Sequence, residues 1–177
     1  MGIGKRRDTP NIPLRCNWDA RSGKMNRADR AQDDGGEWTT NQTNITSTFE
    51  AIADVENMEI GYIAFTPGGP PDFRMVPVGK DVGEPPSDNH KEGFRLRMKL
   101  TNGAGNDVRE FASTSKVVWQ SVDELHDAYL EGCAQHRGKL PIVSIAKVAQ
   151  VRIASSTFYR PIFKITGWAK RPNDLVK

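Results

Sequence analysis

Long apolar runs are missing from this chain of 177 residues. No stretch approaches the roughly 18 to 20 uninterrupted apolar residues of a membrane span. The opening Met1-Gly-Ile-Gly-Lys-Arg-Arg7 lacks the apolar centre of a secretory signal. A soluble, cytoplasmic protein with no membrane partner is the expectation. Cysteine is scarce as well: Cys16 and Cys133 stand far apart, with no CxxC pairing and no nearby cluster of histidines, so neither a disulfide framework nor a zinc site is written here. Of the three histidines, none has metal spacing with an Asp, Glu or Cys. The nucleophile elbow GxSxG, the zinc motif HExxH and the phosphate-binding GxxxxGK[ST] are all absent. In the 66–72 loop, Gly-Gly is followed by Pro-Pro, which removes the N–H donors a phosphate nest requires. The expectation is a protein that is not an enzyme and needs no cofactor. Two glycosylation-type tripeptides, at Asn41 and Asn44, are read as chance matches within a polar strand approach.

Charge of one sign is lacking overall, the net being +3, yet it is present in blocks. Residues 1–30 hold eight basic against three acidic residues, and 137–177 hold nine against one. The short stretch 91–100 holds four against one, whereas 31–90 holds two against eleven. Local fields of this kind matter more to a polyanion than the sum does. If the basic pieces meet in the fold, they form one positive face; otherwise they are solvated surface.

Residues 1–45 are rich in Arg, Asp, Asn, Gly and Thr and show no apolar periodicity, which predicts a basic, largely irregular arm. From there to residue 173 a β domain is expected. Alternation through Phe49–Phe65 changes parity near Glu56-Asn57, the mark of a bulge or tight turn between two strands. Pro77 assigns the short segment 73–78 to a sheet edge. Phe94-Arg-Leu-Arg-Met-Lys-Leu100 alternates strictly, with Arg95, Arg97 and Lys99 on the polar face. An Asn-Gly turn follows, and Val108–Ala112 returns as its partner. The helical period runs over about 115–135, although Ser121-Val-Asp-Glu124 also fits a capping box that would start the helix later. Two β-branched strands, 140–153 and 158–170, complete the domain, the second with a bend at Gly167.

A mainly β domain with one helix between its third and fourth core strands has the order of an OB-fold, a five-stranded antiparallel barrel that binds oligonucleotides. Other antiparallel sandwiches carry one helix too. Single-strand binders need cations to follow phosphates and aromatic planes for bases to stack on. The candidates are Arg95, Arg97 and Lys99, spaced about 6.6 Å apart along their strand, with Tyr159, Arg160 and Lys164, and Trp168 with Lys170. In the arm, Trp18 with Arg15 and Arg21 is preferred over Trp38. Packing is the competing role for each aromatic.

The segments Asn89–Leu100, Val108–Ser115, Leu125–Leu130, Gly138–Val143 and Tyr159–Trp168 together resemble a family of small bacteriophage and prophage proteins that accompany replication or recombination genes. The resemblance covers about 46–173 and implies an OB-like single-stranded DNA-binding protein acting beside phage replication or recombination proteins. It carries no ligand-contact signature. Cooperative coverage of a strand would call for a homo-oligomer. The acidic tail ending in Phe, by which many cellular single-strand binders recruit partners, has no counterpart in Asn173-Asp-Leu-Val-Lys177. A phage structural or host-protein-binding β domain, using the acidic 31–90 region, is the alternative from another class, and a nuclease is the third.

Overall fold

The computed structural model describes residues 14–67, 69–102 and 105–177. Among them are ten strands and one α-helix. In chain order these are β1 (Arg15–Asp19), β2 (Lys24–Gln32), β3 (Trp38–Asn44), β4 (Glu50–Ala53), β5 (Glu59–Ala64), β6 (Asp72–Pro77), β7 (Lys91–Leu100), β8 (Val108–Ser113), α1 (Lys116–Gly132), β9 (Lys139–Ile153) and β10 (Ser156–Lys170). The sheet runs β10-β9-β4-β7-β8-β1-β2-β3 and is open, with β5 on β7 and β6 outside β5. Every pairing is antiparallel except β1 with β8.

The centre is β7, for the reason its alternation predicts. Phe94, Leu96, Met98 and Leu100 are all buried, while Arg95, Arg97 and Lys99 face outward. One edge of β7 pairs with β8; the other takes β5 along its first half and β4 along its second. Between β4 and β5 a 3-10 turn, Val55–Asn57, makes the parity switch read from the sequence. Gly61 sits where β5 is held between β6 and β7, and a Cβ there would collide with the Arg74 carbonyl. Pro77 lies on an edge strand, as expected, and the register of β9 and β10 shifts between Ile165 and Gly167.

Helix α1 takes the longer of its two predicted forms. Ser115 is the N-cap, and Val118, Val122 and Leu125 enter the core, where Phe94 and Phe111 meet edge to face at 5.2 Å. The residues of the alternative cap bind β10 instead, since Arg160 donates to Glu124 at 2.8 Å and to Ser121 Oγ at 3.5 Å. At the end of α1, Gly132 makes room for Trp168; a Cβ would stand 2.6 Å from the indole.

The arm departs most from expectation. Residues 15–44 form three strands in an antiparallel meander, rather than irregular cover; residues 1–13 lie outside the described residues. The reason is that a ladder needs backbone groups, not an apolar face, and β3 is exposed along its whole length. What ties the meander down is a small inward set, Cys16, Trp18, Met25 and Ile45, all buried. Arg109 supplies the rest. Its side chain is buried, donates to the carbonyls of Arg15 and Ala28, and pairs with Asp29 and Asp107. No helix among the described residues is long and apolar enough to cross a membrane.

Candidate nucleic-acid interface

Pairing register decides which side chains share a surface. Arg15 stands opposite Ala28 and Glu110, and Ala28 opposite Gln42; Arg30 stands opposite Thr40, and Gln32 opposite Trp38. Cross-strand partners point to the same face. Arg15, Asn17, Ala28, Arg30, Trp38, Thr40 and Gln42 therefore form one outward surface. The loop after β5 rises beside it, and Gly69, Pro70 and Pro71 close a groove of about 600 Å³.

The groove is cationic and aromatic. Trp38 is 52% exposed, with the Arg30 guanidinium 5.9 Å from its ring centre. Phe73 on β6 lies between two arginines, Arg95 at 4.5 Å and Arg15 at 5.7 Å. Burial lowers the pKa of Arg15 from its ordinary value, and the nearby charges of Arg30 and Arg95 lower it further, while Glu110 acts in the opposite sense. Arg15 and Arg30 form no ion pair among the described residues. A guanidinium without a carboxylate partner keeps its donor fork for bidentate contact with phosphate oxygens.

The β7 cations expected from the sequence share this outward face but are partly compensated. Arg95 bonds Glu59 at 2.8 Å and approaches Glu110 at 3.7 Å. Arg97 is half exposed and lies 3.9 Å from Glu110. Lys99 donates to both oxygens of Asp174 near the C-terminus, which takes it out of the open surface.

The other expected residues lie elsewhere. Trp18 is buried in the core and donates its indole N–H to the Tyr159 carbonyl at 2.9 Å, so burial removes it as a stacking platform. Tyr159 packs on the core, and its side chain closes over Gly23 in the β1–β2 turn. Arg21 belongs to that same turn, where its N–H bonds Asp19. Arg160 is spent on α1. Trp168 stacks on His136 at 4.6 Å and leans on Tyr129, so both its neighbours are protein. Lys164 and Lys170 are exposed on β10, away from the groove. Thus the fold brings Arg15, Arg95 and Arg97 together and separates them from the β10 set. Reasoning from sequence passed over Arg30, Phe73, Thr40 and Gln42, and ranked Trp38 below Trp18. The signal available was parity: Cys16 and Trp18 alternate with Arg15 and Asn17.

One hydrogen-bonded chain has the composition of a hydrolytic triad. Ser87 Oγ lies 2.7 Å from His90 Nδ1, and His90 Nε2 lies 2.9 Å from Asp72. Its surroundings are those of a loop clamp. Ser87 and His90 share one turn, Asn89 donates its N–H to Ser87 Oγ, and Asp72 is half exposed and shared with Arg74. Hydrogen bonds from His90 and Arg74 hold Asp72 below its ordinary pKa, the charged form a clamp requires. Among the described residues, no three His, Cys, Asp or Glu side chains gather as a metal site.

The chain has no match among family models, curated proteins or solved structures. Function must therefore be argued from the groove itself. Its contents are the guanidiniums of Arg15 and Arg30, the Trp38 ring and a row of short amide and hydroxyl side chains from β1 and β3, with Phe73 outside the lining but against Arg15. Such a set can hold a flexible polyanion that also carries flat rings.

Proposed function

We propose that this chain binds single-stranded DNA, with little sequence preference, along the groove bounded by β1–β3 and the β5–β6 loop. The observation that carries the proposal is the pairing of Arg15 and Arg30, without ion-pair partners among the described residues, with the half-exposed ring of Trp38. Cations that follow phosphates beside planes that accept bases are what sequence-tolerant single-strand binding requires. A duplex keeps its bases stacked and offers Trp38 no ring.

Connectivity supports an OB-like reading. The run β10-β9-β4-β7-β8, with the helix between β8 and β9, has the strand order of that barrel. The sheet stays open between β8 and β10, where β1 stands. This strand pairs in parallel with β8 and meets β10 through the Tyr159 N–H to Ala20 carbonyl bond, 2.7 Å, and the Trp18 indole bond. In OB-folds the face of strands 2 and 3 and the loop joining strands 1 and 2 bind oligonucleotides. The corresponding parts here are β7–β8, which lie outside the groove, and the region 65–90, which supplies Gly69, Pro70 and Pro71 to its wall. A non-enzymatic role in phage replication or recombination, in the host cytoplasm, follows from the family resemblance alone.

The rival reading, a protein-binding surface on the acidic 31–90 region, finds less support. Asp54 is buried under Arg171, Glu59 is paired to Arg95, and Asp72 is held by Arg74 and His90. These three of its eleven carboxylates serve internal contacts, which leaves fewer for an acidic face. The test is fluorescence anisotropy with a labelled dT oligonucleotide of about 30 nucleotides, at low and moderate salt, with duplex DNA as competitor. Salt-sensitive binding that duplex does not displace is expected. Absence of binding at low salt overturns the proposal.

A further inference from the structure

Among the described residues three strands have a side with no partner strand, β3, β6 and β10, and two of them carry devices that keep a foreign strand away. β6 contains Asp72, Arg74 and Pro77; β10 contains Pro161, Lys164 and Lys170, with two shifts of register. Charge, proline and bulges are the usual protection of exposed edges. β3, Trp38-Thr-Thr-Asn-Gln-Thr-Asn44, has none of them. It carries no charge and no proline, pairs with β2 in unbroken register, and every residue is exposed. Its threonines and tryptophan suit an extended strand.

The phase of the ladder fixes which backbone groups are open. The β2–β3 turn closes with the Asp33 N–H donating to the Glu37 carbonyl at 2.9 Å. Antiparallel pairs then alternate between bonded and non-bonded. Thr39, Asn41 and Thr43 thus bond toward β2, and Trp38, Thr40, Gln42 and Asn44 direct their N–H and C=O groups away from it.

We propose that β3 pairs antiparallel with β3 of a second copy, about a two-fold axis at Asn41. Trp38 then stands opposite Asn44, Thr39 opposite Thr43, and Thr40 opposite Gln42. This register brings open groups on both strands into bonded positions and uses the whole strand. No like charges meet, and the contact is self-complementary, as a two-fold interface must be. Because Trp38, Thr40 and Gln42 line the groove, pairing joins two grooves across one sheet, with the two Trp38 rings about 20 Å apart along the strand direction. That consequence rests on the single-strand reading; the pairing does not.

The test uses the full chain with Cys133→Ser, to which either Asn41→Cys or Thr43→Cys is added. At the axis, two Asn41→Cys positions form a non-bonded pair with Cα atoms about 4.5 Å apart, within disulfide range. Two Thr43→Cys positions are displaced by four residues, about 14 Å, and cannot bridge. Expected results are a dimer mass for Cys133→Ser by sedimentation at ~100 µM without nucleic acid, a crosslinked dimer for Asn41→Cys on mild oxidation, and no crosslink for Thr43→Cys. A monomer mass, or crosslinking of both variants to the same extent, overturns the pairing. Binding to dT that depends on Arg15 and Arg30 in a monomer would remove the pairing alone. A dimer that does not bind dT would remove the groove reading alone.

Discussion

Replacing Arg15 and Arg30 together by Gln removes two positive charges from the groove and leaves its shape largely intact. For single strands each neutralised phosphate contributes about 0.7 to the slope of log affinity against log salt. If each guanidinium holds one phosphate, the double variant loses about 1.4 from that slope. Between 50 and 200 mM salt the wild-type affinity then falls roughly sevenfold more than that of the variant. Trp38→Ala acts differently. Loss of one stacked base costs about 1–3 kcal/mol, roughly 5- to 150-fold in Kd, with the slope unchanged because no charge is lost. Lys164→Gln, at an exposed position of β10, serves as the control and should leave slope and affinity as they were. The assay is anisotropy of labelled dT at four or more salt concentrations. A wild-type slope in the double variant, or an equal loss of slope in Lys164→Gln, refutes the assignment of the groove.

Other consequences concern the frame that shapes the site. Arg171 covers the buried carboxylate of Asp54 with two hydrogen bonds of 2.7 and 2.8 Å; Arg171→Ala strands that charge and should cost about 3 kcal/mol, a fall in Tm of roughly 6–12 °C by calorimetry. Burial raises the Cys16 thiol to about 12, so a thiol reagent at pH 8 should label Cys133 in the native protein and Cys16 only after unfolding. Burial disfavours the charged form of Asp29, but the hydrogen bond and charge of Arg109, aided by Arg27, outweigh it and hold the carboxyl below its ordinary value of 3.8. Its contribution to stability is complete above the ordinary carboxylate range and is lost as pH falls through the lowered value. Asp29→Asn should therefore be less stable than wild type at pH 7 and approach it in strong acid, as urea unfolding at several pH values would reveal.

Where a face is buried, the sequence is a good guide to the fold. Strict alternation in 94–100 marks β7, the parity change at 55–57 marks the turn between β4 and β5, and Pro77 marks an edge. Each of these is local and has one physical cause. β2 and β3 are not legible in the same way, because a two-stranded polar ribbon needs no apolar period. Trp18 and Trp38 exchange roles for a related reason: only the inward set of Cys16, Trp18, Met25 and Ile45 tells which tryptophan is core, and that set is four residues long. Ionic compensation is beyond local reading altogether. Lys99 meets Asp174 from 75 positions away, and nothing in either neighbourhood announces the pair. The ligand class proposed for the groove is not legible in any one segment, and the position of the groove emerges only from strand register.

The most direct measurement is photocrosslinking of a dT oligonucleotide carrying 5-iodouracil to the wild-type protein, followed by peptide mapping. Adducts at Trp38 and Phe73, suppressed by unlabelled dT and not by duplex, are the predicted result. Adducts confined to Tyr159 or Trp168, or none at all under conditions of saturating protein, would contradict the account.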